Sequence, residues 1–334
     1  MPEQLLKDME GNNVVGTLFE ECFHLVDFAE AESNPLRMTL GEVRAVQKRK
    51  EEYAGKATQL CMGMNAHANL SAGAEAIEPI LKEMSKYTVM RGIRESCAGL
   101  DVNVPELFSP GENLPGGPMA CYDQPAFRSG YALLQKYNLS FDAWCYHKQI
   151  PMVTRLARDF PDIPICLCHL GSPVFLEGLT NKPVQPYASV LAEWKSYIDE
   201  AAKCPNMVCK SDALPMAFGP HDWYNRPTPP TAAEVVQRLA PFYMYTSECA
   251  TARLGAVTVA DSDGRPLLRT VAKFGVDRVM FSSNFPMDRS GCSYTCLWNA
   301  YKIMTKDLPL AARKKLFRDN AMRFYRLDHN GVVL

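Results

Sequence analysis

Apolar and polar positions along this chain fall into two periods. Short apolar runs bounded by turn residues predict buried strands, and apolar residues three and four apart predict helix faces. Strand candidates are 14–21 (V-V-G-T-L-F-E-E), 58–65 (T-Q-L-C-M-G-M-N), 88–95 (T-V-M-R-G-I-R-E) and 139–146 (L-S-F-D-A-W-C-Y), then the apolar run Ile165–Cys168, 206–214 and 278–284. Helical spacing fills the gaps. Ile77, Ile80, Leu81 and Met84 mark one face over 74–86, Phe127, Tyr131 and Leu134 another over 124–137, and Ile150, Val153, Leu156 and Phe160 a third over 150–160. Further helices are expected at 44–53, 190–203 and 232–243, with two more in 293–327. Strands alternating with helices at this pace mean βαβ units and a parallel sheet.

The expected fold is therefore α/β, a TIM-type (β/α)8 barrel. Only seven strands are recognisable, so the barrel reads as incomplete, and its deficit lies ahead of the first strand candidate. An open doubly wound sheet is the structural alternative, but no Gly-rich phosphate fingerprint follows any strand. The whole chain, 1–334, is read as one domain. Two long loops are expected, at 99–123 and 215–230.

Composition narrows the partners. The net charge is −1 with no long basic run, which argues against nucleic acid and anionic membrane. No apolar stretch approaches the roughly 20 residues that span a bilayer. Residues 1–11 are polar and charged, unlike a secretory signal, so a cytoplasmic protein is expected. The 12 cysteines form no C-x-x-C pairs, which points to reduced thiols rather than structural zinc. A small-molecule substrate is the expected partner. The open edges of an incomplete barrel add self-association into a homo-oligomer.

Several residues carry candidate chemistry. His169 ends a buried strand just before Gly171, Ser172 and Pro173 break the chain, where α/β barrels place their reactive groups. A satisfied core histidine is the bland alternative. His147 ends the fourth strand. Arg91 and Arg94, flanking the end of the third, suit a bidentate clamp on a substrate carboxylate, or an internal ion pair with Glu20 or Glu95. Lys210 lies in an apolar strand and needs a partner such as Asp212. His221, Trp223 and Arg226 belong to a loop expected over the barrel mouth, where they would wall a pocket or simply pack. Cys292 and Cys296 read as helix packing; His67 follows a strand without other support, and His24 and His329 read as incidental.

The pieces V-V-G-T-L-F-E-E (14–21), R-G-I-R-E-S (91–96), S-F-D-A-W-C-Y-H (140–147), C-H-L-G-S-P (168–173), M-F-S-S-N-F-P-M-D (280–288) and D-N-A-M-R-F-Y-R-L (319–327) keep their order along most of the chain. Together they resemble the amidohydrolase superfamily, in its amidohydrolase-related branch of lactone hydrolases and metal-dependent decarboxylases. The family pattern has an H-x-H pair on its first barrel strand. This chain has no H-x-H, and its opening matches family sequence just after that strand. Asn284 stands where the family commonly carries aspartate, and Asp288, four residues on, either serves in its place or, as the plainer reading, is a solvated turn carboxylate. Residues 247–266 match nothing in the pattern and read as an insertion.

The resemblance implies a hydrolase that attacks a small lactone, ester or amide with activated water. His169 would activate the water, with His147 beside it in the catalytic set. Asn284 would polarise the carbonyl. Arg94, Arg91, Lys210, His221 and Trp223 would bind substrate. It also implies one divalent metal, zinc or manganese, held through His169, and a metal-free route stands equally open. The alternatives are a catalytically impaired or truncated barrel and a metal-dependent decarboxylase of the same fold.

Overall fold

A computed structural model describes residues 2–98, 122–177, 183–216, 219–246 and 273–327. The segment 247–266 and nearly all of the loop expected at 99–123 lie outside the described residues. In chain order the strands are β1 (Gly16–Glu20), β2 (Gln59–Ala66), β3 (Met90–Ser96), β4 (Ser140–Trp144), β5 (Ile165–Leu167), β6 (Met207–Ser211) and β7 (Val279–Phe281). The longer helices are α1 (Leu40–Glu52), α2 (Ala74–Met84), α3 (Pro125–Lys136), α4 (Ile150–Asp159), α5 (Tyr187–Ala201), α6 (Ala232–Thr246) and α7 (Tyr294–Met304). Short helices at Pro2–Asp8 and Phe28–Ser33 are additions to the expected set; neither buries a residue, so neither has an apolar stripe to read. Among the described residues no helix is long and apolar enough to cross a membrane.

Contacts divide the chain into two compact units: 14–166 with 204–207 and 321–334, and 1–13 with 167–203 and 208–320. In the first, β1, β2, β3 and β4 pair in succession, all parallel. β2 is buried from Leu60 to Ala66 and β3 from Gly92 to Glu95, the continuous burial that parallel strands covered on both faces require. Ile77, Ile80, Leu81 and Met84 of α2 are buried as their spacing predicts. The same holds for Phe127, Tyr131 and Leu134 of α3. Phe141 of β4 meets Phe127 and Tyr131 edge-on, with ring centres 6.0 and 5.1 Å away. Gly130 lets α3 approach the backbone closely, since a Cβ there would stand 2.4 Å from the Leu70 carbonyl oxygen. Asn206 ties the end of α4 to the start of β6, its amide donating to the carbonyls of Ala157, Phe160 and Ile163 at 3.1–3.2 Å.

The carboxyl ends of these strands bury acidic groups. Glu21 follows β1, Glu95 is the penultimate residue of β3, and both are largely out of water. Burial pushes the Glu21 carboxyl up to about 8; Arg94 opposes the rise, while Glu42 and Glu20 add to it. Burial likewise raises Glu95 to about 8, against a hydrogen bond from the Leu70 N–H.

In the second unit β6 and β7 pair in parallel, with Cys209, Lys210 and Ser211 beside Val279, Met280 and Phe281. Tyr301 of α7 fixes their ends: its hydroxyl lies 2.9 Å from the Ser211 carbonyl and 3.1 Å from that of Ser282. Its ring stacks on Phe281 at 4.2 Å. Asn320 closes the other end of β7, donating to the carbonyls of Val276 and Val279 at 2.6 Å each.

The raised carboxyls set a pH dependence of stability. Glu21 and Glu95 hold protons in the folded chain that the unfolded chain releases above the ordinary value of 4.5. Their contribution is full below that value and is lost as pH rises through about 8. The melting temperature is expected to fall across this window. The double variant Glu21→Gln, Glu95→Gln should flatten the slope, and an unaltered slope in thermal melts would contradict the assignment.

Candidate active site

Three strand ends in the second unit finish in the same backbone conformation. After β5 the chain turns left-handed through His169 (φ 56°), Leu170 (φ 57°), Gly171 (φ 68°) and Ser172 (φ 37°). After β6 it does so at Ala213 (φ 62°), and after β7 at Asn284 (φ 49°). A non-glycine residue in this region costs on the order of 1–2 kcal/mol, so the turns persist only where other bonds hold them. At the first turn the Trp194 indole donates to the Leu170 carbonyl at 2.6 Å, and the Ser172 N–H donates to that of His169 at 2.8 Å. Ala213 is held by Asp288, whose Oδ2 accepts its N–H at 3.1 Å. The loop after β7 also presses on the loop after β6: a Cβ on Gly291 would overlap the Pro215 carbonyl, so only glycine fits.

These turns aim polar side chains together. His169 Nδ1 lies 2.7 Å from Asp212 Oδ1, and both residues are buried. Burial alone would raise the Asp212 carboxyl. The charge and hydrogen bond of His169, the Lys210 ammonium and a Ser282 hydrogen bond outweigh it and hold the carboxyl below its ordinary range. Asp212 is thus the acceptor, and Nδ1 carries the proton that binds it. The neighbouring carboxyl behaves oppositely. Burial pushes Asp288 well above the carboxylate range, and the Asp212 charge adds to the rise. Hydrogen bonds from the Asn284 amide at 2.8 Å and from the Ala213 N–H oppose it without prevailing.

The geometry brings together His169, Lys210 and Asn284 from the residues expected on sequence, and adds Asp212 and Asp288. Asp288 is not a solvated turn carboxylate: it is fully buried. A charged residue after a turn reads as exposed, and nothing in the local pattern shows that the loop folds inward. The Asn284 amide nitrogen is directed at Asp288 and, at 3.1 Å, at the Met216 sulfur, so its donors are not set to polarise a carbonyl. His221 stacks on Trp223 at 4.0 Å. Its Nε2 bonds the Leu214 carbonyl at 2.8 Å and its Nδ1 receives the Trp223 N–H at 3.4 Å, so the imidazole serves the loop itself. Burial pushes that ring down to about 4 and keeps it neutral.

The remaining candidates lie in the first unit. Arg94 is buried between Glu20 and Glu21, at 3.8 and 3.6 Å, with the Trp144 ring 5.2 Å away, and so meets carboxylates of its own chain. Arg91 stands at the beginning of β3, not at its end. Its guanidinium donates to the carbonyls of Thr88, Met90 and Arg326 at 2.7–3.1 Å. His147 is buried in the turn after β4.

A catalytic zinc takes three protein ligands and leaves one position open. Among the described residues, no group of three His, Cys, Asp or Glu with ligand atoms within 4.8 Å of one another includes His169. Asp288, the other buried carboxyl beside Asp212, favours its protonated form and already accepts hydrogen bonds at both oxygens. The donor set around His169 does not fit a catalytic metal.

Comparison with known proteins gives a consistent fold. An uncharacterized protein of Sinorhizobium fredii is 30% identical over 258 residues, 74% of this chain and 65% of that protein. L-fucono-1,5-lactonase of Burkholderia ambifaria is 24% identical over 211 residues, 62% of this chain and 56% of the lactonase. The chain thus spans less than two thirds of the length of either relative. An amidohydrolase of Burkholderia multivorans with bound HEPES superposes with a TM-score of 0.63 at 19% identity, over 98% of this chain and 89% of that one. A zinc-bound crystal form of an amidohydrolase from the same organism gives 0.61 at 18%, with the same coverage of both chains. The fold is accordingly α/β of the TIM-barrel type, incomplete, with seven strands among the described residues. The family model described as amidohydrolase matches residues 62–327, and this chain belongs to that family.

Proposed function

We propose that this chain is a hydrolase that opens a small lactone, ester or amide with a water activated by His169. The observation that carries the reading is the 2.7 Å bond between His169 Nδ1 and the ionised, buried Asp212. In the neutral ring, with Nδ1–H given to Asp212, the lone pair sits on Nε2. That nitrogen takes a proton from water as the oxygen attacks the substrate carbonyl, and Asp212 stabilises the imidazolium that forms. The imidazolium then returns the proton to the departing alkoxide or amine. Lys210, whose charge already lowers Asp212, supplies positive charge as the oxyanion develops. Asp288 holds Asn284 and Ala213 in their left-handed conformations and so fixes the loops around the dyad.

Similarity to a lactonase makes sugar-acid lactones the first substrates to screen. His169→Ala is expected to lower kcat/KM by about 10³-fold or more. Asp212→Asn should lower kcat by about 10²–10⁴-fold with little change in KM, because an amide in that place no longer fixes the tautomer. Circular dichroism and a thermal melt on each variant separate loss of chemistry from loss of fold. A folded His169→Ala chain with full turnover would end this reading.

A second expectation concerns metal. Because the donors around His169 do not make a three-ligand site, turnover should survive exhaustive chelation. Activity lost on chelation and restored by zinc would overturn the metal-free route.

A further inference from the structure

The chain leaves β5 through four consecutive left-handed residues, and Ser172 is the last of them, at φ 37° and ψ 71°. Glycine is at home in this region and serine is not. A serine in a turn commonly bonds its hydroxyl to nearby backbone, which offsets part of the strain. Ser172 does not. Its Oγ is buried and makes no hydrogen bond among the described residues. Residues 171–176 are all buried, and Val174, Phe175 and Leu176 follow with apolar side chains. A hydroxyl held there without a bond is desolvated to no structural benefit, and alanine or glycine would serve the turn better.

Bonds fix this residue relative to the dyad. The Ser172 N–H donates to the His169 carbonyl at 2.8 Å, which closes a four-residue turn and keeps the two Cα atoms within about 7 Å. The Trp194 indole holds the middle of the same turn, 2.6 Å from the Leu170 carbonyl. The imidazole is held in its turn through Nδ1, 2.7 Å from Asp212 Oδ1. The unbonded hydroxyl therefore belongs to the turn that carries His169. Other buried hydroxyls without a bond stand elsewhere. Ser211 lies within β6, where successive side chains alternate, on the face opposite Lys210. The Tyr131 ring packs among Phe127, Phe141 and Phe160.

We propose that the Ser172 hydroxyl donates a hydrogen bond to the substrate's carbonyl oxygen, a bond that strengthens as that oxygen takes on negative charge. The inference rests on the hydrolase reading and deepens it. Ser172 is a donor and not the nucleophile: attack through serine needs the base within hydrogen-bond reach, and no bond joins Oγ to the imidazole. The hydroxyl keeps its proton throughout. Water supplies the new C–O bond, and His169 takes the proton that water loses. A donor in apolar surroundings is worth more to an oxyanion than the same donor in water.

The test compares Ser172→Ala, Ser172→Gly and His169→Ala with the wild-type chain, using gluconolactone and p-nitrophenyl acetate as probes and a thermal melt on each chain. Both Ser172 variants should lower kcat by about 10²-fold with KM little changed, since the bond is made in full only in the transition state. Without substrate, Ser172→Ala should melt about 2 °C or more above wild type, because it removes an unbonded buried hydroxyl and leaves the backbone demand as it was. A merely structural serine gives the reverse, a lower melting temperature with kcat unchanged. An inactive His169→Ala beside Ser172 variants at full turnover would overturn the donor and leave the general base in place. Full turnover in His169→Ala would end the hydrolase reading and the donor with it. If neither probe is opened, the melt decides: a Ser172→Ala chain that melts below wild type has lost a bond, and the proposal falls.

Discussion

An ionised carboxylate as deeply buried as Asp212 is the constraint around which the second unit is arranged. Even after relaxation, removing such a charge from water costs several kcal/mol unless partners replace the solvent. Asp212 has three: the His169 ring, the Lys210 charge and a Ser282 hydrogen bond. They come from the ends of β5, β6 and β7, so satisfying one carboxylate fixes three loops. The same charge governs its neighbour. A second carboxylate nearby cannot also ionise cheaply, and Asp288 keeps its proton although two donors favour the anion. Two buried acidic residues are thereby driven to opposite states, Asp212 charged against His169 and Asp288 protonated among the loop donors.

Backbone strain arises from that demand. Regular strand ends would point successive side chains to opposite faces and carry His169 away from Asp212. The left-handed residues re-aim the chain immediately after each strand, at His169, Ala213 and Asn284. Their cost is met by bonds from outside the loop, chiefly Trp194 to the Leu170 carbonyl and Asp288 to the Ala213 N–H. Tyr301 completes the frame by joining the ends of β6 and β7 through one hydroxyl. The site is therefore built as much by α5 and α7 as by the strands that bear its reactive groups.

How much of this is legible in the sequence depends on the range of the interaction. Among the described residues, periodicity locates every strand and every long helix, because burial of one face is written in the spacing of Ile77, Ile80, Leu81 and Met84, or of Phe127, Tyr131 and Leu134. The place of His169 is readable too, since a polar residue closing an apolar run sits at a strand end. Its partner is not. Asp212 enters the sequence reading only as a counter-ion for Lys210, because a contact between residues 43 apart leaves no local trace. Arg91 and Arg94 look alike in R-G-I-R-E, yet one opens β3 and binds carbonyls while the other lies between two glutamates. A strand end can be mistaken by a few residues, and that error exchanges the two faces of a barrel.

Asn284 shows why a departure from a family pattern need not be a loss. The chain resembles a family that commonly carries aspartate at this position. An aspartate here would set its carboxylate against Asp288 Oδ1, 2.8 Å from where the amide nitrogen now lies, and bring a third acidic group toward Asp212. Such crowding is unfavourable at any pH where two of the three ionise. Asparagine removes the charge and supplies a donor in its place, and it tolerates the left-handed backbone that the turn imposes. The asparagine and the buried acid four residues later form one compensated arrangement. It leaves Asp212 as the charged carboxylate facing His169.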